Sequence, residues 1–281
     1  MHYELVIIGA GLMGIRSALT AKELGIQSVL LVDYEKEIGG FGSSLFEREE
    51  FQKEKGLIER AKKLPYECWQ QATVVGFFAG ENGETHEFSI QTPTGTKEIL
   101  ADKIILSSGT LEKPREAHQI GGTRPSGIMT PLMALSLLER NQLPGYQSIV
   151  FENGKVSAAV ANLLEEHGSH VTRIDGEIEK VIDIQGNSRI SKVTFENVVT
   201  GEFTSYECDT LVFSEGAIPC TFYLKGTSIE RDEHHFIVVD EKGKTNIPGI
   251  VALGSCTNKT DKFDYHSEAQ SHGIIRELMT V

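Results

Sequence analysis

Three glycines and one aspartate near the N-terminus have the types and spacing to do chemistry: Gly9, Gly11 and Gly14 in the run Gly9-Ala10-Gly11-Leu12-Met13-Gly14, and Asp33. A first glycine permits a tight turn, and a second lets a pyrophosphate approach the backbone. The third lets a following helix pack closely on the preceding strand. The helix N-terminus then offers free N–H groups and the positive end of its dipole to phosphate oxygens. A carboxylate at the end of the next strand accepts the hydroxyls of a ribose. Together these residues predict a dinucleotide site.

The elements that must position them are legible. Residues 5–8 form an apolar run suited to a strand buried on both faces, and residues 29–32 form a second. Between them Ile15, Leu19, Ala21 and Leu24 recur at helical spacing, with Gly25 as a C-cap. Beyond Asp33 comes a glycine-rich loop through Gly39, Gly40 and Gly42, then a charged amphipathic helix over 51–63. Strands are predicted at 73–78, 87–91, 97–100 and 103–106, with turns at Glu81-Asn82-Gly83 and Pro93-Thr94-Gly95. A helix over 131–140 precedes a linker at Leu143-Pro144-Gly145. The opening pattern then returns at an offset of 143 residues, from Tyr3 to Tyr146. Gly9, Gly11, Gly14 and Gly25 fall on Glu152, Gly154, Ser157 and Gly168, and Asp33 corresponds to Asp175 after one deletion. Strands follow at 179–184, 190–197, 203–213 and 250–253, and a last helix at 266–279. The fold class is α/β, with two Rossmann-like halves.

The 281 residues suffice for two such domains. A formal charge of −13 argues against nucleic acid or an anionic membrane surface as principal partner. No apolar run reaches the length of a membrane span, and no signal peptide is evident. Cys68, Cys208, Cys220 and Cys256 form no CxxC pair, which predicts a reduced, cytoplasmic protein without a zinc site or local redox disulfide. Cys256 reads as a small buried filler, and the adjacent His234-His235 as solvated rather than metal-binding.

The order of these pieces resembles the flavin-dependent pyridine nucleotide-disulfide oxidoreductase superfamily, in which an NAD(P)-binding domain is inserted in an FAD-binding domain. The resemblance rests on GAGLMG at 9–14, the Gly39-Gly40 pair, SSGT at 107–110 and IPGIVALGS at 247–255. Segment 121–145, GGTRPSGIMTPLMALSLLERNQLPG, is similar to the flavoprotein subunits that accompany amino-acid, opine and glycerol-3-phosphate dehydrogenases. The resemblance implies an FAD domain from 1–120 plus 246–281 and an inner NAD(P)-binding-like domain over 121–245. It also implies an extended FAD: Gly9, Gly11 and Gly14 around the pyrophosphate, Asp33 on the adenosine ribose, Gly40 at the next turn, and Gly254 and Ser255 near the ribityl chain. The start of the last helix, including His266, would face the pyrimidine end of the ring and stabilise the negative charge of its reduced form. Leu12, Met13, Tyr34, Phe41, Val75, Ser108 and Gly109 complete the candidate cofactor contacts.

Three departures qualify the resemblance. There is no cysteine pair for disulfide chemistry. Glu152 and Ser157 stand at two glycine positions of the inner unit, where a carboxylate would repel pyrophosphate. Only residues 176–178 separate Asp175 from the next strand, so the nicotinamide half is trimmed. Asp175 would favour NAD over NADP if the inner unit binds a nucleotide. Three functions stay open. The chain is an FAD-binding, electron-transfer subunit working with a dehydrogenase partner subunit, or a self-contained NADH:acceptor oxidoreductase, or a quiet FAD-binding scaffold or sensor. A small-molecule electron donor or acceptor and a homo-oligomer fit the first two. No catalytic acid or base and no metal ligand stands out.

Overall fold

A computed structural model describes residues 1–80 and 84–280, so the Glu81-Asn82-Gly83 turn lies outside the described residues. In chain order the elements are β1 (His2–Ile8), α1 (Leu12–Glu23), β2 (Val29–Val32), α2 (Gln52–Ala61), β3 (Glu67–Trp69), β4 (Thr73–Phe78), β5 (His86–Thr92), β6 (Gly95–Leu106) and β7 (Thr110–Glu112). Then come β8 (Gly121–Gly122), β9 (Ile128–Met129), α3 (Pro131–Leu138), β10 (Gln147–Glu152), α4 (Lys155–Glu166), β11 (His170–Asp175), β12 (Glu179–Gly186), β13 (Ile190–Asn197), β14 (Phe203–Glu207) and β15 (Thr210–Val212). The chain closes with β16 (Ala217–Pro219), β17 (Ile250–Ala252) and α5 (Glu268–Thr280). It divides into two compact units, residues 1–111 with 218–281, and residues 112–217.

In the first unit β6 is the organising strand. Its N-terminal half pairs antiparallel with β5, and its C-terminal half pairs parallel with β1 and β17. The two strands expected at 97–100 and 103–106 are therefore one. Its alternating residues serve a sheet with one wet face, and the fully buried Ile104, Ile105 and Leu106 serve a parallel sheet covered on both. The strand order β3-β2-β1-β6 reverses direction of progress between β1 and β6. Register aligns Ile8 with Val32 and Leu106, and Leu106 with Ala252, so the four carboxyl ends share one rim. That rim is where doubly wound sheets bind ligands.

The second unit repeats the design. Helices α1 and α4 coincide residue for residue at the offset of the repeat. Strands β11, β10, β15 and β9 form a parallel sheet, and β14, β13, β12 and β8 form a second, mostly antiparallel one. The strand expected over 203–213 breaks at Cys208-Asp209 and serves both sheets. Asp209 Oδ2 accepts the Tyr146 N–H at 2.9 Å and its carbonyl accepts Arg189 Nε at 2.7 Å, contacts a regular ladder would forbid. The observed unit ends at 217, not 245. Leu224, Ile229, Ile237 and Val239 pack instead into the core of the first unit with Leu5, Ile105 and Val251. The last helix starts at Glu268 rather than 266, because Ser267 is its cap: its hydroxyl accepts the Gln270 N–H at 3.3 Å.

His86 is 2% exposed, and its Nδ1 accepts the Gly80 N–H at 3.1 Å, which requires the neutral ring. Burial, then the nearby Lys103, hold its pKa below the ordinary 6.5. An imidazole depressed in the folded state contributes stability above pH 6.5 that is lost as pH falls towards its folded value. Urea unfolding should therefore show stability falling from pH 7 to 5.5, with a flatter profile in His86→Gln.

Candidate functional site

The rim of the first unit is built by close approach. Gly9 has φ +100°, and a Cβ there would lie 2.3 Å from the Ser107 carbonyl oxygen. On Gly14 a Cβ would lie 1.8 Å from the Gly9 carbonyl oxygen. These two glycines are demanded by the protein itself, because β1, α1 and the end of β6 meet there without room for a side chain. Ser107 ties the junction: its hydroxyl is 3.1 Å from both the Ile8 and Gly9 carbonyls. Gly11 is different. Its φ of −70° suits any residue, and an added Cβ would meet nothing within 4 Å. The space it keeps clear lies outside the protein, over the N-terminus of α1, whose first turn carries neither a side-chain cap nor an acidic residue. That is a cradle for an anion.

Asp33 lies at the neighbouring strand end. The Ala10 N–H donates to its Oδ2, and the Glu35 N–H donates to Oδ1 at 2.7 Å. Burial pushes its carboxyl above the usual range, and those two donors pull it back. Each oxygen keeps a lone pair for a further hydroxyl donor. The glycine loop closes over the same turn: Gly39 N–H donates to the Ala10 carbonyl at 2.8 Å, and Gly40 (φ +87°) sits so that a Cβ would be 3.6 Å from Gly11 Cα. Gly254 comes up from β17, a virtual Cβ 3.3 Å from that of Met13. Beside it Thr110 Oγ1 donates to Ser255 Oγ at 3.3 Å, and Tyr223 OH donates to Ser108 Oγ at 3.4 Å. The structure thus brings Gly9, Gly11, Leu12, Met13, Gly14, Asp33, Gly40, Ser108, Gly109, Gly254 and Ser255 to one rim.

The remaining candidates are placed differently. Tyr34 is 69% exposed and Phe41 40%, each next in the chain to a rim residue. Val75 is 59% exposed and sits at a bulge in β4, where the ladder with β5 skips it. His266 stands on the surface; its N–H donates to Asp264 Oδ1 at 2.8 Å, and its ring lies 4.2 Å from that of Tyr265.

Two residues of this region were not singled out from sequence. Ser107 looked like one serine among several at a strand end. Arg16 interrupts the apolar face of α1 and is only 4% exposed, with Nε donating to the Tyr265 carbonyl at 2.7 Å and Nη1 to Glu268 at 2.9 Å. An arginine on a helix that must be buried all round was the available signal.

The cysteines form no disulfide. All four are free, and burial pushes Cys220 and Cys68 up to about 11 and Cys208 to about 12. Cys256 is fully buried, raised by that burial, with its thiol aimed at the Leu106 and Leu253 carbonyls. Among the described residues no group of three or more His, Cys, Asp or Glu is placed to hold a metal ion.

The corresponding turn in the second unit carries a side chain at its third glycine position. Ser157 is buried, and its hydroxyl donates to the Gly154 carbonyl at 2.8 Å while accepting the Asn153 N–H at 3.1 Å. Asn153 Nδ2 donates to the Ser214 carbonyl. Glu152 corrects one expectation: its carboxylate is paired with Arg173 at 2.8 Å, so its charge is compensated rather than aimed at a ligand.

These contacts separate the glycines by experiment. Gly11→Val should leave thermal stability within about 0.5 kcal/mol yet abolish dinucleotide uptake. Gly14→Ala should cost about 1–3 kcal/mol or more through overpacking, measured by urea unfolding of the ligand-free protein.

Comparison with known proteins fits this geometry. An alkyl hydroperoxide reductase component of Staphylococcus aureus (strain MRSA252) is 28% identical over 102 residues, which are 36% of this chain and 20% of that protein. The match thus spans about a fifth of that relative's length. Among solved structures, T. acidophilum thioredoxin reductase matches 99% of this chain and 97% of its own, with 20% identity and a TM-score of 0.71. L-Proline dehydrogenase from P. horikoshii matches 99% of this chain and 56% of its own, with 20% identity and a TM-score of 0.70. Those likenesses establish the fold, two Rossmann-type domains over the whole chain. The model of the family described as pyridine nucleotide-disulphide oxidoreductase matches residues 3–273, so the chain belongs to this family of FAD-binding oxidoreductases.

Proposed function

We propose that this chain is the FAD-holding, electron-transferring member of a dehydrogenase, working without a redox disulfide. One contrast carries the reading. At the third glycine position the first unit keeps Gly14, packed against the Gly9 carbonyl, whereas the second has Ser157, whose hydroxyl holds the Asn153 N–H and the Gly154 carbonyl. In this reading the N-terminus of α1 holds the pyrophosphate, Asp33 accepts the adenosine ribose hydroxyls, and Tyr34, Phe41 and Val75 flank the adenine. Ser255 and Thr110 face the ribityl chain, and the start of α5 faces the ring. FAD supplies the two-electron chemistry, and the chain positions it and tunes its potential. Electrons in this reading pass to and from the cofactor without a thiol relay, which the free cysteines, their thiols pushed up by burial, support. The likeness of segment 121–145 to flavoprotein subunits of amino-acid, opine and glycerol-3-phosphate dehydrogenases supports a separate substrate-oxidising subunit. No helix among the described residues is long and apolar enough to cross a membrane.

A second reading, a self-contained NADH:acceptor oxidoreductase, has one observation in its favour. The Glu152 charge is neutralised by Arg173, and a Cβ on Gly154 would meet nothing within 4 Å. Anaerobic visible absorption separates the two. The protein incubated with FAD should show a bound-flavin spectrum that micromolar NADH leaves unbleached for minutes. Prompt, saturable bleaching would establish the second reading, and no flavin uptake would overturn both.

A further inference from the structure

The buried guanidinium of Arg16 has no counterpart in the repeat, where Ala159 occupies the equivalent place on α4. Taking a guanidinium out of water costs several kcal/mol unless its donors are met. Here Nε and Nη1 are met by two groups at the entrance to α5. Nε donates to the Tyr265 carbonyl at 2.7 Å, two residues before the cap Ser267, and Nη1 donates to the carboxylate of Glu268, the first helical residue, at 2.9 Å. The same Glu268 oxygen accepts Arg60 Nη1 at 2.8 Å, and Arg60 Nη2 reaches Glu23 at 3.2 Å, at the far end of α1. His272, one turn into α5, is paired with Glu23 at 3.2 Å. Tyr265 is itself tethered, its hydroxyl donating to Glu54 of α2 at 3.2 Å.

This is an expensive way to hold two helices together. Met13, Ala18 and Ala21 of α1 and Ile275 and Leu278 of α5 already share one apolar core, and a buried ion pair seldom adds stability over an apolar pair of similar volume. What the fork adds is geometry: two rigid, planar donors fix both the chain entering α5 and its first turn relative to α1.

We propose that Arg16 is a positioning residue that sets the N-terminus of α5 relative to the pyrophosphate-binding helix α1, and thereby how strongly the reduced flavin is stabilised. The inference rests on the FAD reading above. In that reading the two helix N-termini serve the pyrophosphate and the ring of one extended cofactor, so their spacing fixes how the positive end of the α5 dipole meets the ring. Arg16 acts through α5 and does not touch the reacting atoms.

The test is the midpoint potential of the bound flavin, with flavin content and thermal unfolding measured alongside, in wild type, Arg16→Met and Arg16→Lys. Methionine fills the space without the donors, and Glu268 keeps Arg60. Lysine keeps the charge but cannot grip both acceptors with a planar fork. Both variants should retain flavin and show a more negative potential, a roughly tenfold weaker preference for the reduced form, or about 30 mV for a two-electron couple. A wild-type potential in both, with or without lower stability, would overturn the positioning role while leaving the FAD reading intact. A shift in Arg16→Met alone would overturn it too, assigning the effect to charge through space. If Arg16→Met does not fold, Arg16→Lys alone decides by the same criterion. A wild-type protein that takes up no FAD would overturn the reading beneath, and the inference with it.

Discussion

The first unit depends on one close approach: the Cα of Gly14 against the carbonyl of Gly9, where a methyl group would fall 1.8 Å from oxygen. That contact presses the first turn of α1 onto the end of β1. It aims the free N–H groups of the helix over the rim, and it leaves the Gly9 carbonyl within reach of the Ser107 hydroxyl. Everything else at the site refers to this junction. The Ala10 N–H is presented to Asp33, the Gly39 N–H to the Ala10 carbonyl, and Met13 to Gly254. A buried strand end, a helix start and the loops around them share one origin: Asp33 and Gly39 answer the backbone groups of Ala10, and Gly254 packs against Met13.

The repeat shows what happens when that constraint is relaxed. With Ser157 in place of the third glycine, the inner helix still starts at the equivalent residue, and the fold survives. The hydroxyl turns inward and satisfies Asn153 and Gly154. The Asn153 N–H is thus held by Ser157, where the equivalent Ala10 N–H of the outer unit is held by Asp33. Fold is kept by the apolar pattern of strand and helix, which both units share.

Charge is handled in the same spirit. Glu152 and Arg173 compensate each other on a half-exposed strand pair, where the energy at stake is small. Arg16 is buried, and there Nε and Nη1 are answered by the Tyr265 carbonyl and Glu268. The carboxyl of Glu268 is held below its usual range by Arg60 and Arg16, so it stays ionised between them. The path from α1 to α5 is thus a line of full charges in contact, and such lines transmit position better than they add stability.

By itself the sequence determined the elements and the repeat. Strands β2, β4 and β13 fall on the residues expected, and the glycine turn, Asp33 and the IPGIVALGS strand end identify the rim, because apolar period and glycine spacing are local properties. Only the tertiary structure decided three things. It separated the glycines that packing demands from the one it leaves free, since Gly9, Gly11 and Gly14 look alike until their neighbours are placed. It moved residues 218–245 into the outer unit and split 203–213 between two sheets, because long-range pairing chooses among strands that local pattern leaves equivalent. It also revealed Arg16, whose partners Tyr265 and Glu268 lie about 250 residues away in the chain, as one fork between two helices. Burial and partnership are properties of the packed chain, and no spacing along it encodes them.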